Sequence, residues 1–205
     1  MESILAERPQ FDEKLLDASG NMDGFEAYTG PHGRRIAEIA DSIGTAFNLA
    51  SRDRFFLQQA ALVHDIGEVA MNRDYICASR TLSASERIDL QRHPVIGEQE
   101  TARLGLPRAV RLIVRWHHEW WNGSGYPDML ESEQTPLAAR ILRLADTYAS
   151  LTAARPFRAA MTPDDARKYI SEWAGIEFDP AVAKAFLAIE EPHAVLSEAT
   201  SFSAV

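Results

Sequence analysis

Apolar residues along most of this chain recur at helical rather than strand spacing. After Tyr28-Thr-Gly-Pro-His32, the positions Ile36, Ile39, Ala40, Ile43 and Phe47 predict one helix. A second is predicted from about Arg52 to Ile66, with Phe55, Phe56, Ala60, Leu62 and Val63 as its core and Gly67 as its stop. Ser83-Ala-Ser-Glu86 has the pattern of a capping box, in which serine and glutamate each satisfy an orphan amide. That places His93 well inside the following helix, until Pro94 disturbs the ladder or marks its end. Pro107 opens a helix through Val110, Ile113, Val114 and Trp116, and Asn122-Gly-Ser-Gly-Tyr-Pro127 breaks it. Leu137 to Ala153 is a long, largely apolar and hence buried helix. Thr162-Pro163 and Asp179-Pro180 each join a capping residue to a first-turn proline. No hairpin dipeptide joins two alternating apolar runs, so the predicted fold class is all-α, a helical bundle.

Residues 1–27 are mixed and acidic, with turn signals at Gly20-Asn21 and Asp23-Gly24, and are expected to form a leader helix or linker. Residues 28–191 then form the domain proper, and residues 192–205, rich in Ser and Ala, a fraying tail. A chain of 205 residues is enough to bury a full core as one domain.

The net charge of −9 argues against a nucleic-acid polymer as partner, because such binding leans on phosphate neutralisation. It does not exclude a small anion, since metal ions and a local arginine group reverse the field in one pocket. A single cysteine, Cys77, rules out an internal disulfide framework. No apolar run is long enough to predict a membrane span. The N-terminus lacks the basic start and apolar core of a signal peptide, so the cytoplasm is the expected location.

The histidines change the picture most. Five of the six fall between His32 and His118: His32, His64, His93, His117 and His118. The sixth, His193, lies in the tail and reads as a surface residue. Any one histidine on an apolar helix face reads as a hydrogen-bonded core residue. Five together, with Asp65 beside His64 and with Asp146 inside Leu144-Ala-Asp-Thr147, read as a metal centre, because buried imidazoles and carboxylates are costly without a partner. On a helix, neighbouring residues point about 100° apart. His64-Asp65 and His117-His118 therefore suit a pair of ions, with the carboxylate between them. Two divalent ions roughly 3.5–4 Å apart can clamp a phosphodiester around a bridging hydroxide. Nitrogen-rich ligation favours iron or manganese, with zinc, nickel or magnesium as alternatives.

Those residues also carry a resemblance. Ala61-Leu-Val-His-Asp-Ile-Gly67 resembles the signature of the HD-domain phosphohydrolases, and His117-His-Glu-Trp-Trp-Asn-Gly-Ser-Gly-Tyr-Pro127 resembles the motif of their HD-GYP subfamily. The likeness runs from about Tyr28 to Leu187, through Arg140-Ile-Leu-Arg-Leu-Ala-Asp146, Arg155-Pro-Phe-Arg158 and Phe178-Asp-Pro180. It implies a helical bundle hydrolysing cyclic di-GMP to linear pGpG and GMP in bacterial signalling, with His64 and Asp65 at the catalytic centre. Carried over residue by residue, His32, His64, Asp65 and Asp146 would hold one ion. Asp65 would bridge to a second held by His93, His117 and His118. Gly125 and Tyr126 would lie in a loop that shapes the substrate pocket and meets a signalling protein. Arg155 and Arg158 would contact phosphate, a task the guanidinium fork suits.

The chain departs from the family pattern around the substrate. Glu68 stands where lysine usually follows the HDIG run, and Asn122 where the loop usually has aspartate. Ala149 replaces an aspartate often found three residues after the last ligand. Tyr28 stands where some members carry a glutamate for a third metal, so a two-metal site is expected, without Glu26 as a substitute. Three readings follow. The first is a phosphodiesterase on cyclic di-GMP or a related cyclic dinucleotide. The second is a module that binds nucleotide or a signalling partner without turnover. The third is hydrolysis of another small phosphate ester.

Overall fold

The computed structural model describes Phe11 and residues 13–154 and 159–189. Arg155, Arg158, His193 and the tail from 192 lie outside the described residues. Ten α-helices are present among the described residues: α1 Glu13–Phe25, α2 His32–Ala46, α3 Ser51–Leu62, α4 Ile66–Met71, α5 Ala84–Leu90, α6 His93–Arg103, α7 Arg108–Trp116, α8 Leu137–Leu151, α9 Pro163–Glu172 and α10 Pro180–Ala188. The only β contacts among these residues are isolated bridges, Asn122 with Glu131 and Ala174 with Phe178. The all-α expectation holds. No described helix is long and apolar enough to cross a membrane.

Helix α2 packs on α3 and α8, α3 also meets α7 and α8, and α6 lies between α4 and α7. The apolar faces meet in one core, where Ile36, Ile43, Leu57, Leu62, Val114, Ile141, Leu142 and Ile170 are fully buried. Burying each such side chain contributes about 1.5–3 kcal/mol. The predicted caps are in place: Ser83 and Glu86 form a reciprocal box, Thr162 accepts from the Asp165 amide, and Asp179 accepts from the Ala181 amide. Helix α1 is more than an appendage. It lies against α2, α3 and α4, and buries Leu15 and Met22.

Two helix boundaries differ from the sequence expectation, and both differences shape the site. Helix α3 ends at Leu62 instead of running to Ile66. The amide of Val63 bonds back to Ala60 O, and that of Ile66 to Val63 O, so residues 63–65 form a turn that carries His64 and Asp65. Gly67 is then not a helix stop but the second residue of α4. A Cβ there would lie 2.0 Å from the carbonyl oxygen of His93 and 2.8 Å from the amide of Gly97. Only glycine permits α4 and α6 to approach so closely. The second correction concerns His93, which opens α6 rather than sitting deep in the helix begun at Ala84. Pro94 takes the first turn of α6, where a missing N–H costs nothing.

Candidate metal centre

Four helix ends and one helix interior converge here. His32 opens α2, His64 and Asp65 follow α3, His93 opens α6, and His117 caps α7 with His118 next. Asp146 comes from the middle of α8. The expected ligands fall into two groups whose candidate atoms lie within 4.8 Å of one another: His32, His64 and Asp146, and Asp65, His93, His117 and His118. Asp65 joins them. Its Oδ1 lies 3.1 Å from His93 Nε2 and 3.2 Å from His117 Nε2, while its Oδ2 lies 3.2 Å from His64 Nε2. Asp146 Oδ1 is 3.7 Å from His64 Nε2 and 4.0 Å from His32 Nε2.

The donor chemistry fits divalent ions. His64, His93 and His117 each direct Nδ1 at the carbonyl oxygen three residues back, Ala61 at 3.0 Å, Leu90 at 2.8 Å and Val114 at 2.6 Å. A carbonyl accepts only from N–H, so Nδ1 holds a proton and Nε2 is the nitrogen left to serve as a ligand at the centre. Buried in this way, His64 Nε2 faces the carboxylates of Asp65 and Asp146. Burial alone would lower the His64 pKa, but the charge and hydrogen bond of Asp65, then Asp146 and Glu26, raise it well above its usual value. Asp65 feels the converse. Burial pushes its pKa up, while His64 and His93 pull it well below the carboxylate range. Burial holds His117 low, and burial followed by His117 and Arg143 holds His118 far lower.

The expected substrate residues divide. Gly125 has a structural reason to be glycine, because a Cβ would lie 2.3 Å from the Trp120 amide nitrogen and 2.5 Å from His118 O. This contact seats Tyr126 over the centre, its ring stacked on His118 at 4.8 Å and edge-on to His93 at 6.3 Å. Asn122 is exposed, and its side-chain oxygen accepts from the Ser124 amide at 2.9 Å, shaping the turn. Glu68 is buried, with Oε1 3.9 Å from His93 Nδ1. It forms a third carboxylate group with Asp65 and Glu26, so Glu26 does reach the centre.

Several contributors went unassigned in the sequence reading. Glu119 is buried and accepts from the amides of Asp128 at 2.7 Å and Leu130 at 3.0 Å, tying down the loop that bears Tyr126. Asp128 takes both Arg115 and the Trp116 indole, securing the other side of that loop. Tyr28 stacks on His32 at 3.6 Å and reaches Ser150 Oγ at 3.1 Å, which donates to Asp146 Oδ1 at 3.2 Å. Arg143 stands beside His118 and Asp146, held by Glu177. One signal was legible in advance: Arg143 is a charge in an apolar helix, one turn before Asp146.

A sequence profile of the HD domain matches residues 22–182. A Vibrio cholerae cyclic di-GMP phosphodiesterase is 38% identical over 142 residues, covering 66% of this chain and 29% of that protein. The 3'3'-cGAMP-specific phosphodiesterase 3 of the same organism is 31% identical over 169 residues, covering 82% and 37% respectively. The chain thus spans about a third of the length of these relatives. The crystal structure of a cyclic GMP-AMP specific phosphodiesterase from V. cholerae superposes with a TM-score of 0.67 at 21% identity, over 85% of this chain and 47% of that one, which supports the fold. With its HD motif at one buried centre and a family profile matched over most of its length, the chain belongs to the HD-domain family.

Proposed function

We propose that this protein is a metal-dependent phosphodiesterase acting on a cyclic dinucleotide, cyclic di-GMP or a relative such as 3'3'-cGAMP. The carrying observation is the set of Nε2 lone pairs, fixed by carbonyl contacts at Nδ1, that converges on the two oxygens of Asp65. His32, His64 and Asp146 would hold one ion, and His93 and His117 the other, with Asp65 between them and His118 alongside. Iron or manganese suits this donor set, with zinc, nickel or magnesium as alternatives. Bound there, such ions supply an acidified water and neutralise charge developing on the phosphate.

The residues around the ions do the rest. Tyr126, stacked on His118, covers the centre and offers an aromatic face to a base or sugar. Glu119 and Asp128 keep that face in place through the loop amides and Arg115. Arg155 and Arg158 are the candidate phosphate contacts. The exposed Met129, just past the GYP run, gives a signalling protein an apolar foothold. Water adds across one phosphodiester bond, leaving a 5'-phosphate and a free 3'-hydroxyl in linear pGpG, and a second cut gives GMP.

The test is turnover of cyclic di-GMP and 3'3'-cGAMP by protein purified without oxygen and loaded with Fe2+ or Mn2+, with products resolved chromatographically. Metal-dependent linear product, abolished by His64→Ala and Asp65→Ala, is expected. Two-metal protein that cleaves neither substrate would move the reading to a binding module or to another phosphate ester. Glu68 supports that second reading, because it brings a buried carboxylate to the centre beside Glu26 and Asp65.

A further inference from the structure

Arg143 lies between the two ligand groups. Its Nη1 is 2.8 Å from His118 Nδ1 and 3.8 Å from Asp146 Oδ2. Its Nη2 donates to Glu177 Oε1. Glu177 is itself buried and fixed, accepting from the Tyr169 hydroxyl at 3.2 Å and from Thr147 Oγ1 at 3.4 Å. The guanidinium is therefore held through Nη2 while Nη1 faces His118 and Asp146.

A guanidinium has donors only and does not give up its charge. The nitrogen it meets at 2.8 Å must supply a lone pair, so His118 Nδ1 carries no proton. This reverses the arrangement at His64, His93 and His117, whose Nδ1 atoms face carbonyl oxygens and whose Nε2 atoms face Asp65 at the centre. A neutral imidazole has one bare and one protonated nitrogen. In His118 the bare one is committed to Arg143 and the other carries hydrogen. Neither is available to an ion unless Arg143 is displaced.

We propose that Arg143, clamped by Glu177, is a positioning residue that withholds His118 from ligation. The second ion is then left with Asp65, His93 and His117, and is the exchangeable one of the pair. His118 instead presents Nε2–H as a fixed hydrogen-bond donor beneath the Tyr126 ring. This rests on the two-ion reading above and concerns only how unequally the ions are held.

The experiment is a chelator-competition titration of the whole chain with Mn2+, with bound metal counted by elemental analysis. It compares wild type, H118A, H93A, the charge-neutral pair R143M/E177Q, and that pair combined with H118A. The expected result is one tight and one weak ion in the wild type, with the second ion weakened by about tenfold or more in H93A but changed less than about threefold in H118A, judged against the 10–100-fold scale of lost ligand support. R143M/E177Q should tighten the second ion by about tenfold, and adding H118A should erase that gain. The 15N shifts of His118 in the Mn2+-free and Zn2+-loaded wild type should both report an unprotonated Nδ1 and a protonated Nε2. That readout needs no Arg143 variant and would not move if Arg143 only supported the fold. H118A weakening the second ion as much as H93A, or a metal-bound His118 signature on zinc loading, would overturn the proposal. So would R143M/E177Q folding normally and leaving both affinities unchanged. Wild-type protein that takes up no Mn2+ would fail differently, bringing down the metal centre itself along with this inference.

Discussion

Around His32, His64 and Asp146 the Tyr28 ring lies flat on His32 and its hydroxyl reaches Asp146 through Ser150, while Arg143 comes no nearer than 3.8 Å to Asp146 Oδ2. Around His93, His117 and His118 the support includes a buried cation, Arg143, and a loop aromatic, Tyr126. Both groups mix imidazole and carboxylate, so a residue count makes them look equivalent. Their surroundings separate them. In the first, His64 Nε2 faces the carboxylates of Asp65 and Asp146. The second has one imidazole already engaged. What backs a ligand decides its availability as much as its chemical type does.

The largest expected effect removes the comparison altogether. Asp65 presents one carboxylate oxygen to each group, so Asp65→Asn should lower the affinity for both ions by more than the roughly 10–100-fold cost of losing an outer partner. Metal counting after gel filtration is the measurement. Loss of one ion with the other fully retained would show that Asp65 belongs to a single half.

Gly67→Ala should come next, and it should act unequally. The added Cβ meets backbone atoms of α6, His93 O at 2.0 Å and Gly97 N at 2.8 Å, which cannot swing aside as a side chain would. Separating α4 from α6 should cost at least the ~1–3 kcal/mol of ordinary overpacking, read as a lower Tm. It moves His93 directly, so the second ion should be lost before the first. An unchanged Tm would show that the close approach is not essential to the fold.

Gly67 also shows what the sequence could and could not convey. The apolar spacing and caps were legible: helices begin where Ser83, Pro107, Thr162 and Asp179 announce them. Gly67 looked like a helix stop because glycine serves both as a terminator and as a contact point, and only the packing of α4 on α6 tells which. Pro94 was ambiguous in the same way, since proline can end a helix or begin one. The expected ligands could be named from their motifs, and the structure draws them together. Their partners could not. Arg143 meets His118 across 25 residues and Tyr28 meets Ser150 across 122, and such pairings follow from tertiary packing rather than local pattern.

Tyr28→Phe offers a gentler probe of the first half. It keeps the ring on His32 and removes only the hydroxyl that meets Ser150. One such hydrogen bond contributes about 0.5–1.5 kcal/mol, so the first ion should weaken by roughly tenfold at most. The second should be unaffected, since Tyr28 does not touch its ligands. Equal weakening of both ions in a Mn2+ titration would mean that the halves are coupled more tightly than their separate supports suggest.

The smallest perturbation is a proton, and in metal-free protein the histidines should part company as pH changes. The pKa of His64 is raised above its usual 6.5, because Asp65 and Asp146 outweigh burial, so His64 holds its proton more firmly folded than unfolded. Its contribution to stability is fully present below about pH 6.5 and is lost as pH rises through the folded value. His93 should follow the same sign, again through Asp65 acting against burial. For His117, burial lowers the pKa, so the neutral ring is favoured and its contribution is present above about pH 6.5 and lost as pH falls through the folded value. An NMR titration of the metal-free protein should therefore find His64 and His93 still protonated after the free imidazole has titrated, and His117 neutral before it. Metal uptake then competes with protons chiefly at His64 and His93, one in each half, so falling pH should weaken both ions together. Acid that releases one ion and spares the other would place the proton competition in a single half, and would make Asp65 a weaker link between the halves than its distances indicate.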